Sequence, residues 1–408
     1  MKFLHAADIH LDSPMAGLHA RTDLPPDLLP GCTRRAFAAM IDLALAEDVA
    51  FVIIAGDLYD GDWRDFSTGL FFAAQMRRLA PRPCFLLRGN HDARSVITKD
   101  LRLPENVREF STRSCQTHEL RPLGIALHGQ SFPDRAVPED LSEKYPEPLP
   151  GRLNIGLLHT SADDPGEHAT YAPCDPARLR LKGYDYWALG HIHARRVLHE
   201  RPWIVFPGNI QGRHVKETGA KGCTLVTVEE GRIVAVEPRA IDTLRWAMLT
   251  IDAAEADVAT LTGRIADAVR GALAEAEGRP LLARLELRGE TPLHAALAGD
   301  AERLAAECRN AAIEAGGQFW VEAVTLRTRP LRLREEAVLD PLRAAFAASL
   351  GEPGRVEALL RDFDALRGRL PKPVRDEIDL PRDQAALARL AEEAWEIAAA
   401  AITAEERA

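Results

Sequence analysis

The chain is short of cysteines, of long apolar runs and of positive charge, and each shortage removes a class of protein. Its six cysteines, Cys32, Cys84, Cys115, Cys174, Cys223 and Cys308, stand far apart with no C-x-x-C pair. That spacing excludes a zinc ribbon or a disulfide framework, and reduced thiols in a cytoplasmic protein are expected instead. No apolar stretch approaches the roughly 20 residues that span a bilayer, and the opening MKFLHAADIH turns polar too soon for a secretory signal. The formal net charge of -10 argues against indiscriminate coating of nucleic acid, while leaving room for a local basic track or an anionic site filled by cations. Internal repeats are absent, as are low-complexity tracts outside the alanine-rich tail.

What is present suits a large soluble protein. The 408 residues are 46% hydrophobic, enough for a sizeable core and two or three domains. Strands are predicted at Lys2 to Ala7, Val52 to Ile54, Cys84 to Leu87, Gly124 to Leu127, Asn154 to Leu158, Tyr184 to Leu189 and Trp203 to Phe206. A hairpin of Cys223 to Val228 with Ile233 to Glu237 turns around Gly231. Arg35 to Ala46 has helical spacing, and a further helix carries Leu70, Phe71, Ala74 and Leu79 toward the sheet or a second subunit. The proline-interrupted stretch from Ser131 to Arg152 is expected to be a surface excursion.

After Leu244 the pattern changes. Residues 246–330 read as a small α/β module: an alternating strand from Trp246, a helix from Ala254 to about Ala276 and a strand from Leu281. A helix between Asp300 and Gly316-Gly317 and a strand from Phe319 complete it. Residues 331–408 read as helical, with one apolar stripe at Val356, Leu359, Leu360, Phe363 and Leu366 and another at Leu387, Leu390, Ala394 and Ile397. Pro371 and Pro373 separate the two.

Chemistry concentrates where strands end. Successive strands of residues 1–245 deliver Asp8 and His10, Asp57, Asn90 and His91, His159, and His191 and His193, most beside a glycine. Gly56 lets the chain turn sharply and leave Asp57 facing a crevice. One such residue is ordinarily a cap or a core histidine, but the whole set at one edge of one sheet is not expected by chance. Two divalent ions about 3.5 to 4 Å apart repel each other, and a carboxylate shared between them offsets the repulsion. Asp57 is assigned that role. Asp8, His10 and His193 would complete one ion, and Asn90, His159 and His191 the other. Imidazole and oxygen donors without thiolate suit manganese, iron or zinc. His91, beside a ligand yet not needed as one, is placed to protonate the leaving oxygen or to stabilise the charge that develops on it. The remaining histidines, His5, His19, His118, His128, His168, His199, His214 and His294, are expected in core or surface roles, with His168 the exception to watch.

Asp8-x-His10, Gly56-Asp57-x-x-Asp60, Gly89-Asn90-His91-Asp92, His159 and Gly190-His191-x-His193 together resemble the five-part signature of the calcineurin-like metallophosphoesterases, in order over residues 1 to about 240. His5 to Asp12, Gly190 to His193 and Pro207 to Arg213 are most similar to the SbcD-type DNA double-strand-break repair nucleases, and among them to the YhaO-like bacterial DNA repair exonucleases. The resemblance implies a four-layer α/β/β/α sandwich of two sheets, two manganese ions and phosphodiester cleavage in DNA. It also implies that 246–330 caps the site and holds DNA, that 331–408 docks a coiled-coil SMC-like ATPase subunit of the SbcC type, and that the first domain forms a homodimer, through helices such as Phe66 to Leu79. Arg88 is similar to an arginine that binds phosphate in the serine/threonine phosphatase branch, although that branch has Glu where this chain has Asp92. A phosphomonoesterase or cyclic-nucleotide phosphodiesterase is therefore the alternative activity, and a metal-free scaffold is a third reading.

Overall fold

A computed structural model describes residues 1–15, 24–25, 27–61, 66–94, 102–162, 171–299, 318–331, 336–352, 354–371, 378 and 380–405, with residues 303, 306, 307, 310 and 314. His19, Asp62, His168, Cys308, Pro373 and the helix bounds Asp300 and Gly316-Gly317 lie outside the described residues. In chain order the first elements are β1 (Lys2–Ala6), α1 (Cys32–Ala46), β2 (Phe51–Ala55), α2 (Phe66–Leu79), β3 (Cys84–Leu87), β4 (Val107–Glu109) and β5 (Gln116–Leu120). Then come β6 (Ile125–Gly129), β7 (Leu153–His159), α3 (Pro176–Leu181), β8 (Tyr186–Gly190), β9 (Arg196–Glu200), β10 (Trp203–Phe206), β11 (Gly222–Glu229) and β12 (Arg232–Ala240). The remainder is β13 (Arg245–Asp252), α4 (Val258–Glu275), β14 (Leu281–Thr291), α5 (His294–Gly299), β15 (Phe319–Pro330), α6 (Glu336–Leu350), α7 (Arg355–Arg369) and α8 (Gln384–Glu405).

The chain divides into two units: Met1–Met248 with Leu273–Ala283 and Gly317–Glu322, and Leu249–Ala272 with Arg284–Gly316 and Ala323–Ala408. The first holds two six-stranded sheets, ordered β12-β11-β1-β2-β3-β4 and β5-β6-β7-β8-β10-β9. Side-chain alternation explains the layering, because successive residues of a strand point to opposite faces. Phe3, Phe51, Ile53, Phe85 and Leu87 meet Ile125, Leu127, Ile155, Leu157, Tyr186 and Ala188 in the core between the sheets. Their neighbours Leu4, Ala6, Val52, Ile54 and Leu86 pack on Phe37, Met40 and Ile41 of α1 and on Phe72, Met76 and Leu79 of α2. Leu158, Trp187, Leu189, Ile204 and Phe206 line the outer face of the second sheet. The molecule is thus a mixed α/β sandwich of two large sheets with a helical C-terminal segment.

The structure sharpens three expectations. Residues 131–152 run over the surface as expected, most of them exposed, and are pinned by Phe132, Val137, Leu141 and Tyr145, which are buried against the second sheet with Leu179 of α3. Prolines deny this stretch a periodicity, so its four buried anchors are not marked in the sequence. On α2, Leu70 is 62% exposed and Ala74 is also exposed, while Phe72, Met76 and Leu79 face the core and Phe71 is half-buried. Finally, β4, β5 and β9 were not foreseen. They are short and polar (VRE, QTHEL, RVLHE) and close the edges of sheets, where no alternation of apolar residues is required.

In the second unit α6 and α8 pack on each other, with the rings of Phe346 and Trp395 5.6 Å apart and an Arg343–Glu392 ion pair. Leu366, Leu390 and Ile397 of the two predicted stripes remain exposed, whereas Leu387 is buried. No helix among the described residues is long and apolar enough to cross a membrane. Cys32, Cys84, Cys115, Cys174 and Cys223 are free thiols.

Candidate metal centre

Parallel pairing gathers the strand ends. Ala6 of β1 pairs with Ile54 of β2, and Ala55 with Leu87 of β3, so the loops bearing Asp8, Asp57 and Asn90 leave one edge side by side. In the other sheet His159 ends β7 opposite Gly190 of β8, which sets His191 and His193 next to it. The residues therefore do not share one edge of one sheet: they come from the carboxyl edges of two facing sheets. Contacts bind the edges together: His159 Nδ1 lies 3.0 Å from Ala55 O, and His191 N donates to both oxygens of Asp8, at 3.0 and 2.9 Å.

The loops are held in backbone conformations that L-residues avoid. Asp8, His10, Asp57 and His191 have φ of 51°, 45°, 53° and 105°, a strain of order 1–3 kcal/mol each that persists only where surroundings enforce it. Here Asp8 N donates to Gly56 O and His10 N to Asp57 O, each at 3.0 Å. Gly56, with φ of 100°, makes the turn expected of it.

All seven predicted ligands and His91 gather in one cluster. Asp8, His10 and His193 present donor atoms within 4.8 Å of one another, as do Asp57, His159 and His191. Asn90 Oδ1 lies 2.9 Å from His159 Nε2. Asp57 Oδ2 lies 3.4 Å from His159 Nε2 and 3.9 Å from His10 Nε2, so one carboxylate oxygen faces both sets. His10 Nε2 and His193 Nε2 are 3.3 Å apart, and His10 Nδ1 is buried with no hydrogen-bond partner. Five imidazoles, two carboxylates and an amide converging without a thiolate fit a pair of borderline divalent ions.

Electrostatics favour cations here. Burial and the neighbouring Asp57 charge push the Asp8 carboxyl up, against His193 and His159. Burial also opposes the Asp57 anion, but His159, His10 and His91 outweigh it and hold that carboxyl well below the usual range. Burial alone would lower His159, yet Asp57 and Asp8 push it up to about 9. His10, lowered by burial and by Arg213, is the neutral imidazole a ligand must be.

His91 is tied in twice. Its backbone N donates to Asp57 Oδ1 at 2.9 Å, and its Nδ1 lies 2.9 Å from Asp60 Oδ1. Burial works against the imidazolium, but the Asp60 hydrogen bond and the Asp57 and Asp60 charges raise its pKa overall. Its side chain is 30% exposed, unlike the buried ligand candidates His10 and His159.

Several supporting residues had no assigned role at the sequence level. Asp92 is buried and accepts from Leu58 N, Tyr59 N and Gly89 N at 3.1, 2.8 and 3.0 Å, lacing the Asp57 loop to the Asn90 loop. Asp12 accepts from Arg34 and from Thr68 and anchors the Asp8 loop to α1 and α2. Glu217 lies 2.6 Å from His193 Nδ1, and Arg213 stands between Glu217 and Asp60. Asp12, Asp92 and Arg213 each lie in a motif run, His5 to Asp12, Gly89 to Asp92 and Pro207 to Arg213, whereas Glu217 carried no local signal. Arg88 forms an ion pair with Glu109 of β4, a partner that its reading as a phosphate-binding arginine did not foresee. Of the other histidines, His5 is buried between Tyr186 Oη and Leu189 O, His128 bonds Thr117 and Asn154, and His199 bonds Pro202 O. His214 lies 3.5 Å from Glu217 and so borders the site.

Gly89 is where the cluster has no spare room. A Cβ there would lie 2.3 Å from Asp57 Oδ1 and 2.8 Å from His159 Nε2. Gly89→Ala is expected to lower stability by about 1–3 kcal/mol and to weaken divalent-ion binding. Calorimetric titration with unchanged affinity would show that the loop gives way more readily than this packing allows.

Comparison with known proteins finds the calcineurin-like phosphoesterase family over residues 1–195 and the middle domain of metallophosphoesterase YhaO over residues 246–329. The chain is 36% identical over 303 residues, 72% of each protein, to the uncharacterized metallophosphoesterase YhaO of Bacillus subtilis. It is 26% identical over 206 residues to the DNA double-strand break repair protein Mre11 of Sulfolobus acidocaldarius, 48% of this chain and 50% of that one. Against the Mre11 of Sulfurisphaera tokodaii it is 26% identical over 272 residues, 62% of this chain and 65% of the relative.

Proposed function

This chain belongs to the calcineurin-like metallophosphoesterases, in their YhaO-like branch, and is a phosphoester hydrolase by that membership; on that premise we propose that it is a manganese-dependent DNA repair nuclease with exonuclease and endonuclease action. The carrying observation is the single Asp57 oxygen that faces His10 on one side and His159 on the other. In this reading Asp8, His10 and His193 would hold one ion, Asn90, His159 and His191 would hold the second, and Asp57 would serve both. Bound divalent ions supply an activated water and offset charge on the phosphodiester.

The chain's own groups do the rest. Asp60 orients the His91 ring through Nδ1, and the exposed edge of that ring is where a proton reaches the leaving oxygen. Buried acids and imidazoles with fixed backbone partners keep the donors converged before substrate arrives, so little reorganisation accompanies the reaction. DNA as substrate is supported by the likeness to proteins named for DNA double-strand break repair. The phosphomonoesterase alternative drew on Arg88 as a phosphate ligand, and the Arg88–Glu109 ion pair weakens it. Linear and hairpin DNA incubated with the purified protein should be cleaved with manganese and spared with chelator. Rapid turnover of small monoesters with intact DNA would leave the family standing and sink the nuclease.

In the same reading residues 246–330 form a DNA-holding module, and Phe66 and Leu70, 56% and 62% exposed on α2, support a homodimer. Residues 331–408 dock a coiled-coil SMC-like ATPase of the SbcC type. The exposed apolar residues Leu366, Leu390 and Ile397 suit insertion of helices into a groove. Deleting 331–408 should abolish co-purification with the ATPase and leave basal metal-dependent hydrolysis in place. Loss of both would count against a role confined to docking.

A further inference from the structure

Residues 207–221 contain none of the proposed ligands, yet they wrap the back of His193. Asn209 N and Lys221 Nζ both donate to His193 O, at 3.3 and 3.1 Å. Glu217, itself buried, sets Oε1 2.6 Å from His193 Nδ1. Its Oε2 accepts from Asn209 Nδ2 at 2.9 Å and from Arg213 N at 2.7 Å. Arg213 Nη2 lies 3.4 Å from Oε1 and 3.3 Å from His193 Nδ1, so the nearer neighbour of Nδ1 is the carboxylate at 2.6 Å and it sets the hydrogen there.

We propose that Glu217 is a positioning residue that selects the His193 tautomer, keeping the hydrogen on Nδ1 so that Nε2 presents its lone pair to the ligand cluster. The inference rests on the metal-dependent reading of the site and concerns one residue that acts through a ligand. An amide NH2 and a backbone N–H can only donate, so Oε2 must be an acceptor. An ionised carboxylate is an acceptor at both oxygens, so the hydrogen between Oε1 and His193 belongs to Nδ1. A neutral imidazole with hydrogen on Nδ1 has its lone pair on Nε2, the atom 3.3 Å from His10 Nε2. Carboxylates that fix a ligating histidine in this way raise its basicity, and removing them commonly weakens metal binding 10- to 100-fold, by general experience of such shells.

The isosteric variant separates this from mere packing. In Glu217→Gln the two donors at Oε2 still require the amide oxygen, which turns the NH2 toward His193 Nδ1. That nitrogen must then accept, the hydrogen moves to Nε2, and the ligand position is blocked. A packing role would rank Gln as mild and Ala as severe; tautomer selection makes Gln at least as damaging to ion binding as Ala.

Long-range proton–nitrogen NMR of the metal-free full chain, with His193 assigned through His193→Asn, should show Nδ1–H in wild type and Nε2–H in E217Q. Manganese titration followed by electron paramagnetic resonance should find two ions in wild type. In E217Q one of them should weaken about 10- to 100-fold and the other hold. A wild type that already carries Nε2–H, or an E217Q protein that binds both ions with unchanged affinity, overturns the role of Glu217. A wild type that binds no divalent ion overturns the metal-dependent reading instead. Should E217Q not fold, the wild-type tautomer alone decides.

Discussion

His91→Asn keeps two divalent ions per chain and lowers phosphodiester hydrolysis about 100- to 10,000-fold, the range a positioned proton donor contributes. Its side chain faces Asp60, and only its backbone N touches Asp57, through a bond that asparagine preserves. The variant therefore removes a proton donor while leaving the carboxylate, amide and imidazole donors of the cluster in place. Metal content by atomic absorption and hydrolysis of a DNA duplex, measured on one preparation, read the two effects separately. Full activity would take His91 out of the mechanism, and lost metal would make it a ligand. The second outcome has a structural basis to guard against, since His10, Asp60 and His91 also present donors within 4.8 Å of one another.

Asp57→Asn is the more damaging change, with hydrolysis falling to background and ion binding lost at both sites. Asparagine keeps the shape and can still accept from His91 N, so the fold survives. What it lacks is the charge that lets two cations sit close together. Wild type should gain thermal stability from manganese, by about 2.7 kcal/mol at 100-fold excess over the dissociation constant, because only the folded chain brings the donors together. Asp57→Asn should show little of that gain. Differential scanning calorimetry with and without manganese checks it, and a full metal-dependent shift in the variant would mean that the carboxylate is not shared. Chelator should return wild type to the variant's behaviour.

Much of this was readable in one dimension. The strands that carry the ligand candidates are mostly apolar, as parallel strands buried on both faces are, with His5 and Asn154 as buried polar exceptions. The polar side chains at their ends stand out as Asp8, Asp57, Asn90, His159 and His191. The helix α1 was equally legible, since a covering helix shows its inward stripe, whereas on α2 two of the four expected residues, Leu70 and Ala74, face outward. Asp60 was visible as part of a motif, but its partner was not. Nothing local says that an acid three residues past Asp57 will meet a histidine from another strand's loop.

The sequence by itself determined which residue types arrive at strand ends and in what order, because period and apolar runs are short-range properties written residue by residue. Tertiary structure alone decided that two sheets, rather than one, supply the cluster. It also decided which side chains of 131–152 anchor that surface stretch to the second sheet, that Arg88 is paired with Glu109, and that Glu217 stands behind His193. Each of these is a contact between side chains from separate elements, fixed by how the layers pack. A chain carries no periodic trace of a partner that only packing brings within reach.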